Sequence, residues 1–498
     1  MNISVALISV MYGLTAFWAI DSGMAFIGFL KFLPLLLYLI SIWQTNKSDF
    51  EYILPKFAAI LVCISVIGFN IKFTSSFFSV AGRLAGFFQY PNTFAIFLLV
   101  CELFLLSKNK FKIADYVCLL VLVFGLLYTG SRTVFVLAIL SNIVLLLYKF
   151  RNGLNQKLFL IIVALFVAVS IVVFLFNKDL FSRYLSISLH ESTFAGRILY
   201  WVDSIPLLLK YPFGMGYLGY NYIHSSIQTG VYTVRYIHND FLQLLLDIGW
   251  IPTILFIVAI FKFLLDRKIL FHKKLIIATI CLHSFFDFNF QFISIFFIIL
   301  LIINEQQGKK IIINKSLAFL SFSLIVLLIL NLYMFLHLSL SHFNQNKFAD
   351  SLYPWNTENK IAMLEKTTDI NIANEIADAI LKQNQHSYIP YSVKAKYFYS
   401  KGNFSLLFEN KHIVFQKNPF GYEEYEEYCQ MLLNGIYLYG QIGDINSIKY
   451  CQEELINTKN KLVNNIERLS YLGEQITDQP KTELPKEILD YINKIEKE

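Results

Sequence analysis

Long apolar blocks separated by short polar connections fill the chain up to about residue 338, after which polar residues dominate. Runs of roughly 20 apolar residues have the length that an α-helix needs to cross a bilayer. The pattern predicts eleven membrane-spanning helices, at residues 3–20, 24–43, 57–72, 92–107, 113–128, 133–149, 157–176, 240–263, 272–287, 289–304 and 316–338. Residues 272–304 would also fit one long helix. We predict two, because a single helix would place a basic flank on the wrong side.

Lysine and arginine concentrate in alternate connections between these segments. The basic residues are Lys47 and Lys56; Lys108, Lys110 and Lys112; Lys149, Arg151 and Lys157; Lys262, Arg267, Lys268, Lys273 and Lys274; and Lys309, Lys310 and Lys315. Cytoplasmic loops carry such an excess of positive charge. The N-terminus is therefore predicted to be cytoplasmic, and the other face holds the connections at 70–91, 129–132, 177–239 and 287–288, with everything after 338.

Composition agrees with an all-α polytopic membrane protein. Of the 498 residues, 56% are hydrophobic and only 15% are charged, which is far from the balance of a soluble domain. The net charge of +7 follows from the basic loops and gives no reason to expect nucleic acid binding. The first apolar segment runs almost directly into a second, with no small-residue cleavage site, so we predict that it is retained.

The six cysteines form neither a metal-ligand spacing nor a disulfide framework. Four lie in predicted spans and are interpreted as core residues. Cys429 and Cys451 lie in the polar part of the chain, where they could also meet.

The polar C-terminal part is helical in pattern. We divide the chain into a membrane domain at 1–338, which includes the large outer loop 177–239, a helical domain at 339–480 and a terminal tail at 481–498. The spacing from Ser387 to Phe420 is about the 34-residue period of a tetratricopeptide repeat, and the domain resembles a short array of that kind. Such an array could bind a partner protein or an acceptor; equally, it could only cap the outer loops.

Three arginines stand out on the predicted outer face, which is otherwise poor in charge. Arg83, Arg132 and Arg197 each lie close to a membrane edge and beside Gly or Ser. A guanidinium group presents a rigid fork of donors that matches phosphate oxygens. Each arginine alone could simply reach lipid phosphates or pair with an acid such as Asp203. Three on one face favour a site for a phosphate group.

His238 ends the largest outer loop, on the same predicted face as the arginines. An ordinary imidazole titrates near 6.5, so it can take a proton from a sugar hydroxyl at neutral pH. The alternative is that His238, Asn239 and Asp240 form a polar helix start in which Asn239 or Asp240 is the N-cap. The two interpretations are compatible.

A second histidine, His283, is four residues before Asp287 in a predicted span. On one helix face the two would either neutralise each other or border the site.

Several motifs of other enzyme classes are missing from the sequence. There is no GxxxxGK[ST] loop, dinucleotide fingerprint, HExxH or GxSxG. No Asp-x-Asp pair occurs in the first outer connection, which contains only Asp21. We therefore predict neither a cofactor nor a metal ion.

The sequence resembles the O-antigen ligase and polymerase superfamily, which includes bacterial O-oligosaccharyltransferases. The resemblance rests on five blocks that occur in the same order: GRLAGFFQYPN, SRT, GRILYW with PFGMGYLGY, HNDFLQLLLDIGW and HSFFDF. The resemblance covers roughly residues 60–305. It implies a GT-C-like glycosyltransferase of the bacterial inner membrane that moves a glycan from a polyprenyl-pyrophosphate carrier to a lipid, glycan or protein acceptor. The family works on the outer face without a metal and inverts the anomeric carbon.

Carried over by position, the resemblance implies that Arg83, Arg132 and Arg197 bind the pyrophosphate and that His238 is the essential histidine. Arg235 is three residues before His238 and could compete for one of the arginine roles. Asn92 could line the phosphate pocket, although Pro-Asn before a span is also a helix start.

Three other functions stay open at this point. A polysaccharide polymerase would share the same residues; the C-terminal domain only favours a macromolecular acceptor and hence a ligase. A flippase for the lipid-linked glycan would need mid-span charges, of which Glu102 is the main example. A non-catalytic scaffold would leave the outer arginines unexplained.

Overall fold

The computed structural model of the protein describes residues 2–44, 50–153, 156–186, 192–307 and 317–497. Within these ranges nearly all regular structure is helical, with one two-stranded hairpin. The basic residues Lys47, Lys309, Lys310 and Lys315, on which part of the predicted orientation rests, lie outside the described residues.

The first part of the chain forms a helical bundle with short connecting elements. Its helices are α1 (Asn2–Thr15), α2 (Ser22–Phe32), α3 (Pro34–Gln44), α4 (Phe50–Asn70), α5 (Ser75–Phe78), α6 (Pro91–Ser107), α7 (Ile113–Tyr128), α8 (Arg132–Arg151), α9 (Gln156–Phe176), α10 (Lys178–Leu185), α11 (Ser192–Lys210), α12 (Gly219–Ile227), α13 (Asp240–Ile248), α14 (Trp250–Leu265), α15 (Phe271–Ser284), α16 (Ile293–Gln307) and α17 (Leu317–His342). Strands β1 (Ser79–Val80) and β2 (Arg83–Leu84) pair antiparallel, and short 3-10 turns lie at Gly86–Phe88 and Asn289–Gln291.

Helix α6 is the centre of the bundle. It is apolar on all sides and is buried along nearly its whole length, as expected for a helix that other helices surround. Helices α4, α7, α8 and α15 pack against it. Because α6 begins at Pro91, the bundle core fixes the position of the polar residues just before and after that proline.

Two predicted spans contain an irregularity in the helix. Residues 24–43 form α2 and α3, since the ring of Pro34 begins a new helix. Residues 240–263 form α13 and α14, which join at Gly249 with φ 86°. A Cβ at Gly249 would lie 2.6 Å from the Pro212 carbonyl oxygen, so only glycine fits this junction.

The segment 272–304 contains two helices in the structure, with residues 285–292 between them. Helix α15 ends at Ser284, so Asp287 is not on it. The predicted shared helix face of His283 and Asp287 is therefore wrong.

Four helical segments among the described residues are long and apolar enough to cross a membrane: Ser22–Leu39, which continues through Pro34 from α2 into α3, Phe50–Asn70, Arg132–Arg151 and Ile325–His342. Leu160–Leu175 and Lys178–Leu185 meet at a bend of 113° and could form a fifth. Shorter apolar helices occupy most of the other predicted segments. The structure supports a helical membrane protein, and the number of eleven spans stays a prediction.

The C-terminal part is a second group of helices. Residues 395–492 form a core of their own, whereas Tyr353 belongs to the core of the bundle. The helices are α18 (Asn346–Leu352), α19 (Thr357–Leu364), α20 (Ile370–Gln383), α21 (Ile389–Ser400), α22 (Phe404–Lys417), α23 (Tyr422–Ile442), α24 (Ile445–Asn464), α25 (Tyr471–Glu474) and α26 (Lys486–Ile495), with a 3-10 turn at Asn465–Arg468. Cys429 and Cys451 are free and buried in this core, so the pairing considered for them is not formed. The neighbouring helices pack in pairs, while the tetratricopeptide assignment stays a prediction.

Helix α26 from the predicted tail packs into the same core through Ile488 and Ile492.

Loops of the membrane domain hold the C-terminal helices in place. The buried carboxylate of Asp21 accepts hydrogen bonds from Thr357 and Asn384. In the large loop, the Thr229 carbonyl accepts a 2.9 Å hydrogen bond from the Ser470 amide. The C-terminal helices therefore pack on the same face of the bundle as the loop that ends at His238.

Candidate functional site

Arg83 is held in place by the β1–β2 hairpin. The two central residues of the hairpin turn, Ala81 (φ 49°) and Gly82 (φ 71°), both adopt the left-handed conformation that a tight two-residue hairpin requires. The Arg83 guanidinium donates through Nε to the Thr129 carbonyl oxygen at 2.8 Å and through Nη2 to Asn92 Oδ1 at 2.6 Å. These bonds fix one arginine beside the start of α6.

The start of α6 is a polar corner. Tyr90 is the N-cap residue and Pro91 is the first helical residue, so the helix-start interpretation of Pro91 and Asn92 is confirmed. Asn92 is also part of the site. Its amide nitrogen donates to Asp287 Oδ2 at 2.6 Å, and the Tyr90 hydroxyl donates to Asp287 Oδ1 at 2.7 Å.

Asp287 is the centre of the site. Its side chain is 1% exposed, and besides the bonds from Tyr90 and Asn92 it faces two cationic or ionisable groups. Nη2 of Arg197 lies 3.7 Å from Oδ2, and Nδ1 of His238 lies 3.4 Å from Oδ1. Burial alone would raise the pKa of Asp287, but the neighbouring His238 and Arg197 outweigh it and hold the pKa below its usual value. The carboxylate is thus ionised at neutral pH.

His238 stands on an unusual backbone. Its φ of 52° is in the left-handed region, which non-glycine residues seldom adopt and which is often associated with functional sites. The next residue, Asn239, is the N-cap of α13 and accepts hydrogen bonds from the Phe241 and Leu242 amides, both at 3.1 Å. This N-cap assignment confirms the predicted helix start, which also anchors the histidine.

The imidazole of His238 is 23% exposed and is directed at Asp287. The 3.4 Å contact does not have hydrogen-bond geometry, so Nδ1 has no hydrogen-bond partner among the described residues. A small ring rotation would let Nδ1–H donate to the carboxylate, as catalytic contacts often tighten when substrate binds. Nε2, on the opposite side of the ring, would then be the atom that can accept a proton.

Phe288 joins the two ends of the site through ring contacts. Its centroid lies 4.5 Å from that of Tyr90, 4.9 Å from that of His238 and 5.0 Å from that of Tyr236. All four residues are partly exposed. They give the site an aromatic wall, a surface on which apolar faces of sugar rings can pack.

Arg132 lies in an adjoining basic group, not at Asp287. Its Nε donates to the Arg183 carbonyl oxygen at 3.0 Å, and its Nη2 donates to Ser186 Oγ at 3.0 Å. Arg183 in turn donates to the Gly130 carbonyl oxygen at 2.8 Å, next to the Thr129 carbonyl that binds Arg83. Burial first, and then the charge of Arg183, lower the pKa of Arg83 to about 10. Three guanidinium groups therefore surround one turn, an arrangement that an anion would stabilise.

Besides Arg132, the predicted candidates Arg235 and His283 lie outside the group around Asp287. Arg235 forms an ion pair with Glu358 of the C-terminal domain, with Nη2 and Oε2 2.7 Å apart. His283 is fully buried, and its Nδ1 contacts the side-chain amide of Asn289. The acid that Arg197 approaches is Asp287; Asp203 instead accepts hydrogen bonds from Thr229 and Tyr232.

The sequence pattern places Tyr90 in the QYPN block beside the expected phosphate pocket, whereas Arg183 and Lys31 were not predicted as site residues. Arg183 lies in the large loop without a neighbouring motif. Lys31 was included in a predicted span, although a lysine within an apolar run is a signal of function.

Among the described residues, no group of three or more His, Cys, Asp and Glu side chains is placed to hold a metal ion.

Comparison with known proteins gives one match. A family model described as O-antigen ligase matches residues 117–257, which run from α7 into α14 and include Arg132, Arg197 and His238. No curated protein and no solved structure matches the chain. The match supports the resemblance to the O-antigen ligase superfamily and is consistent with ligase-type or polymerase-type activity.

Proposed function

We propose that the protein transfers a glycan from a polyprenyl-pyrophosphate carrier to an acceptor, as O-antigen ligases and O-oligosaccharyltransferases do. The observation that carries the proposal is the convergence of Arg197, His238 and, through Asn92, Arg83 on the buried carboxylate of Asp287. The O-antigen ligase match over 117–257 supports the same reaction class.

The arginines would bind the diphosphate of the donor. Arg83 and Arg197 lie beside the His238–Asp287 pair, and Arg132 and Arg183 surround the adjoining turn. When the bond between the anomeric carbon and the diphosphate oxygen breaks, negative charge moves onto the diphosphate. Fixed guanidinium groups stabilise that charge without reorganisation in a partly dry site. In this proposal they take the role that a divalent metal has in many glycosyl transfers.

His238 would be the general base. The acceptor hydroxyl attacks the anomeric carbon from the side opposite the diphosphate, so that the configuration inverts, and Nε2 takes the hydroxyl proton. Asp287 is a positioning residue in this mechanism: it holds Nδ1–H and stabilises the imidazolium that forms. General-base help of this kind contributes about 10²–10⁴-fold to a rate.

The orientation in the membrane is also part of the proposal. A cytoplasmic N-terminus with the site and residues 339–480 outside the inner membrane follows from the basic connections. It is supported by the packing of the C-terminal helices on the face that carries His238. A tetratricopeptide-like domain there would gather a macromolecular acceptor. Arg235 is three residues before His238 in the chain, and its ion pair with Glu358 brings this domain into contact with the loop that carries His238.

A polymerase, in which the acceptor is another lipid-linked chain, uses the same chemistry and is the alternative within the family. For a flippase, the mid-span acid Glu102 would be the main support. It is 1% exposed and accepts a hydrogen bond from Asn142 in the interior of the bundle. Because Asn142 already provides Glu102 with a hydrogen-bond partner, the acid needs no transported ligand to explain its position.

Reconstitution of the purified protein with a polyprenyl-pyrophosphate glycan and a panel of acceptors tests the proposal. We expect a new glycosidic bond with the wild type and its loss in His238→Ala and Arg197→Ala. The acceptor that is used separates ligase from polymerase. Movement of the glycan across the bilayer without a new bond would favour the flippase, and undiminished product in both variants would refute the assigned site.

A further inference from the structure

Lys31 of α2 forms no direct ion pair in the described part of the chain. Its ammonium nitrogen donates to Gln291 Oε1 at 2.9 Å and to the Tyr217 hydroxyl at 3.3 Å. Among the described residues no carboxylate oxygen lies within 4.0 Å of it, and the third ammonium proton has no acceptor. A partly buried charge with no opposite charge is costly unless a ligand supplies one. This ammonium group is therefore poised for an anion.

Two tyrosines extend the donor set. Tyr217 accepts from Lys31, is 6% exposed and lies 2.9 Å from the Tyr236 hydroxyl. Since a buried hydroxyl needs an acceptor for its own proton, Tyr217 donates to Tyr236. The proton of Tyr236 then has no acceptor among the described residues. Tyr236 is partly exposed, so it can donate to a ligand oxygen.

Positive charge surrounds the Tyr236 ring. Lys31 Nζ lies 5.8 Å and the Arg235 guanidinium carbon 5.9 Å from its centroid. Glu358 pairs with Arg235, so the uncompensated charge beside this ring is that of Lys31. Charged donors recognise anionic oxygens better than neutral hydroxyls.

Lys31, Tyr217 and Tyr236 form a cluster next to the site around Asp287. Tyr236 is two residues before His238, and Gln291 is four residues after Asp287. Phe288 contacts both the Tyr236 and the His238 rings. A molecule with a hydroxyl at His238 could therefore place a second group at Lys31, away from the arginines that the donor diphosphate would occupy.

We propose that Lys31, Tyr236 and Arg235 form a second anion-binding subsite, which holds a phosphate or carboxylate group of the substrate that accepts the glycan. The assignment of this ligand to the acceptor rests on the proposed function. The subsite would select acceptors that carry negative charge close to the reacting hydroxyl. That charge can come from an acidic or phosphorylated sugar or from the phosphate of a lipid carrier.

Pyridoxal 5′-phosphate provides a direct probe, because it combines a phosphate with an aldehyde that reacts with lysine. The aldehyde and the Lys31 amine form an imine with loss of water, and borohydride reduces the imine to a stable secondary amine. The full-length protein in phosphatidylcholine nanodiscs would be labelled with this compound or with pyridoxal, which lacks the phosphate, and each lysine would be quantified by mass spectrometry. Lys210 is the matched control, since it also lies over a tyrosine ring, at 5.4 Å, but is exposed.

We expect the phosphate to increase labelling at Lys31 at least tenfold more than at Lys210. The phosphate would contact Tyr236 and Arg235 while the Lys31 amine attacks the aldehyde, and a charge-assisted contact gives about ten- to hundredfold. The preference should fall about threefold in Tyr236→Phe. Protection by glucuronate and glucose 6-phosphate would identify a sugar-borne anion, and protection by undecaprenyl phosphate would identify a lipid-borne one. The subsite would be refuted if the ratio of pyridoxal 5′-phosphate labelling to pyridoxal labelling were equal at Lys31 and Lys210. It would also be refuted if none of these compounds protected Lys31 from labelling.

Labelling does not depend on glycan transfer, so the two proposals fail separately. A phosphate preference at Lys31 without any new glycosidic bond in reconstitution would refute the proposed function and the assignment of the ligand to the acceptor, and leave an anion site. Transfer activity without the preference would refute only the subsite.

Discussion

Asp287→Asn tests the centre of the site, because it removes the negative charge and keeps the volume. The carboxylate accepts from Tyr90 at 2.7 Å and from Asn92 at 2.6 Å, and it faces Arg197 and His238. An asparagine oxygen can accept from only one side, and its amide group would point a donor at another donor. Loss of one charge-assisted hydrogen bond costs about 1.5–3 kcal/mol. The substitution also leaves the partly buried Arg197 unpaired. Together the two effects should lower the free energy of unfolding by about 2–4 kcal/mol.

The effect on transfer should exceed the effect on stability. Without the carboxylate, neither the orientation of His238 nor the charge of its imidazolium is stabilised, and we expect the turnover rate to fall about 10²–10⁴-fold. The assay is transfer by purified protein in nanodiscs, with the melting temperature measured on the same samples.

Asp203→Asn is the matched control for this experiment. Asp203 is also buried, at 5% exposure, and accepts hydrogen bonds from Thr229 and Tyr232, but it does not contact His238. We expect a comparable loss of melting temperature with transfer within about threefold of the wild type, since only a hydrogen-bonded carboxylate is lost. Transfer that persists in Asp287→Asn, or an equal loss in both variants, would refute the reasoning.

Three further results are expected. Arg83→Lys, Arg132→Lys and Arg197→Lys should each raise the KM for the donor about ten- to hundredfold while keeping the charge, because the ammonium group lacks the guanidinium fork; unchanged KM values would argue against diphosphate binding. Asn239→Ala should lower the free energy of unfolding by about 1 kcal/mol, as for other N-caps, whereas Asn239→Asp should keep it; equal stability of all three proteins would contradict the cap. The pKa of Asp287 is lowered in the folded protein, so its contribution is complete above its unfolded value of about 3.9 and is lost as the pH falls through the lower folded value. The difference in melting temperature between wild type and Asp287→Asn should therefore persist from about pH 5 to 8 and shrink below about pH 4; a difference that disappears near neutral pH would show that Asp287 is not held ionised.

Apolar run length predicted the positions of most helices in the bundle, because a run of that kind must be buried or face lipid. It could not predict the breaks at Pro34 and Gly249. A proline near the middle of a span can also kink a continuous helix, and the requirement for glycine at 249 comes from the Pro212 carbonyl, 37 residues away.

Charge on the outer connections led to Arg83, Arg197 and His238, and the structure brings these three together. The sequence offered Asp287 only as a residue that neutralises His283 or borders the site, and it did not identify Asp287 as the partner of Arg197 and His238. Arg132 and Arg235 were named from the same pattern, yet their partners, Arg183 and Glu358, are 51 and 123 residues away. Pairing over such distances depends on how loops pack, which local pattern does not determine.

The most direct test of the central claim is the rate of acceptor-dependent release of polyprenyl pyrophosphate by His238→Asn. Asparagine tolerates the left-handed backbone at 238 and so keeps the loop, but its amide cannot act as a general base. We predict a melting temperature close to that of the wild type and a rate about 10²–10⁴-fold lower. A folded His238→Asn protein that releases polyprenyl pyrophosphate at the wild-type rate would contradict the account.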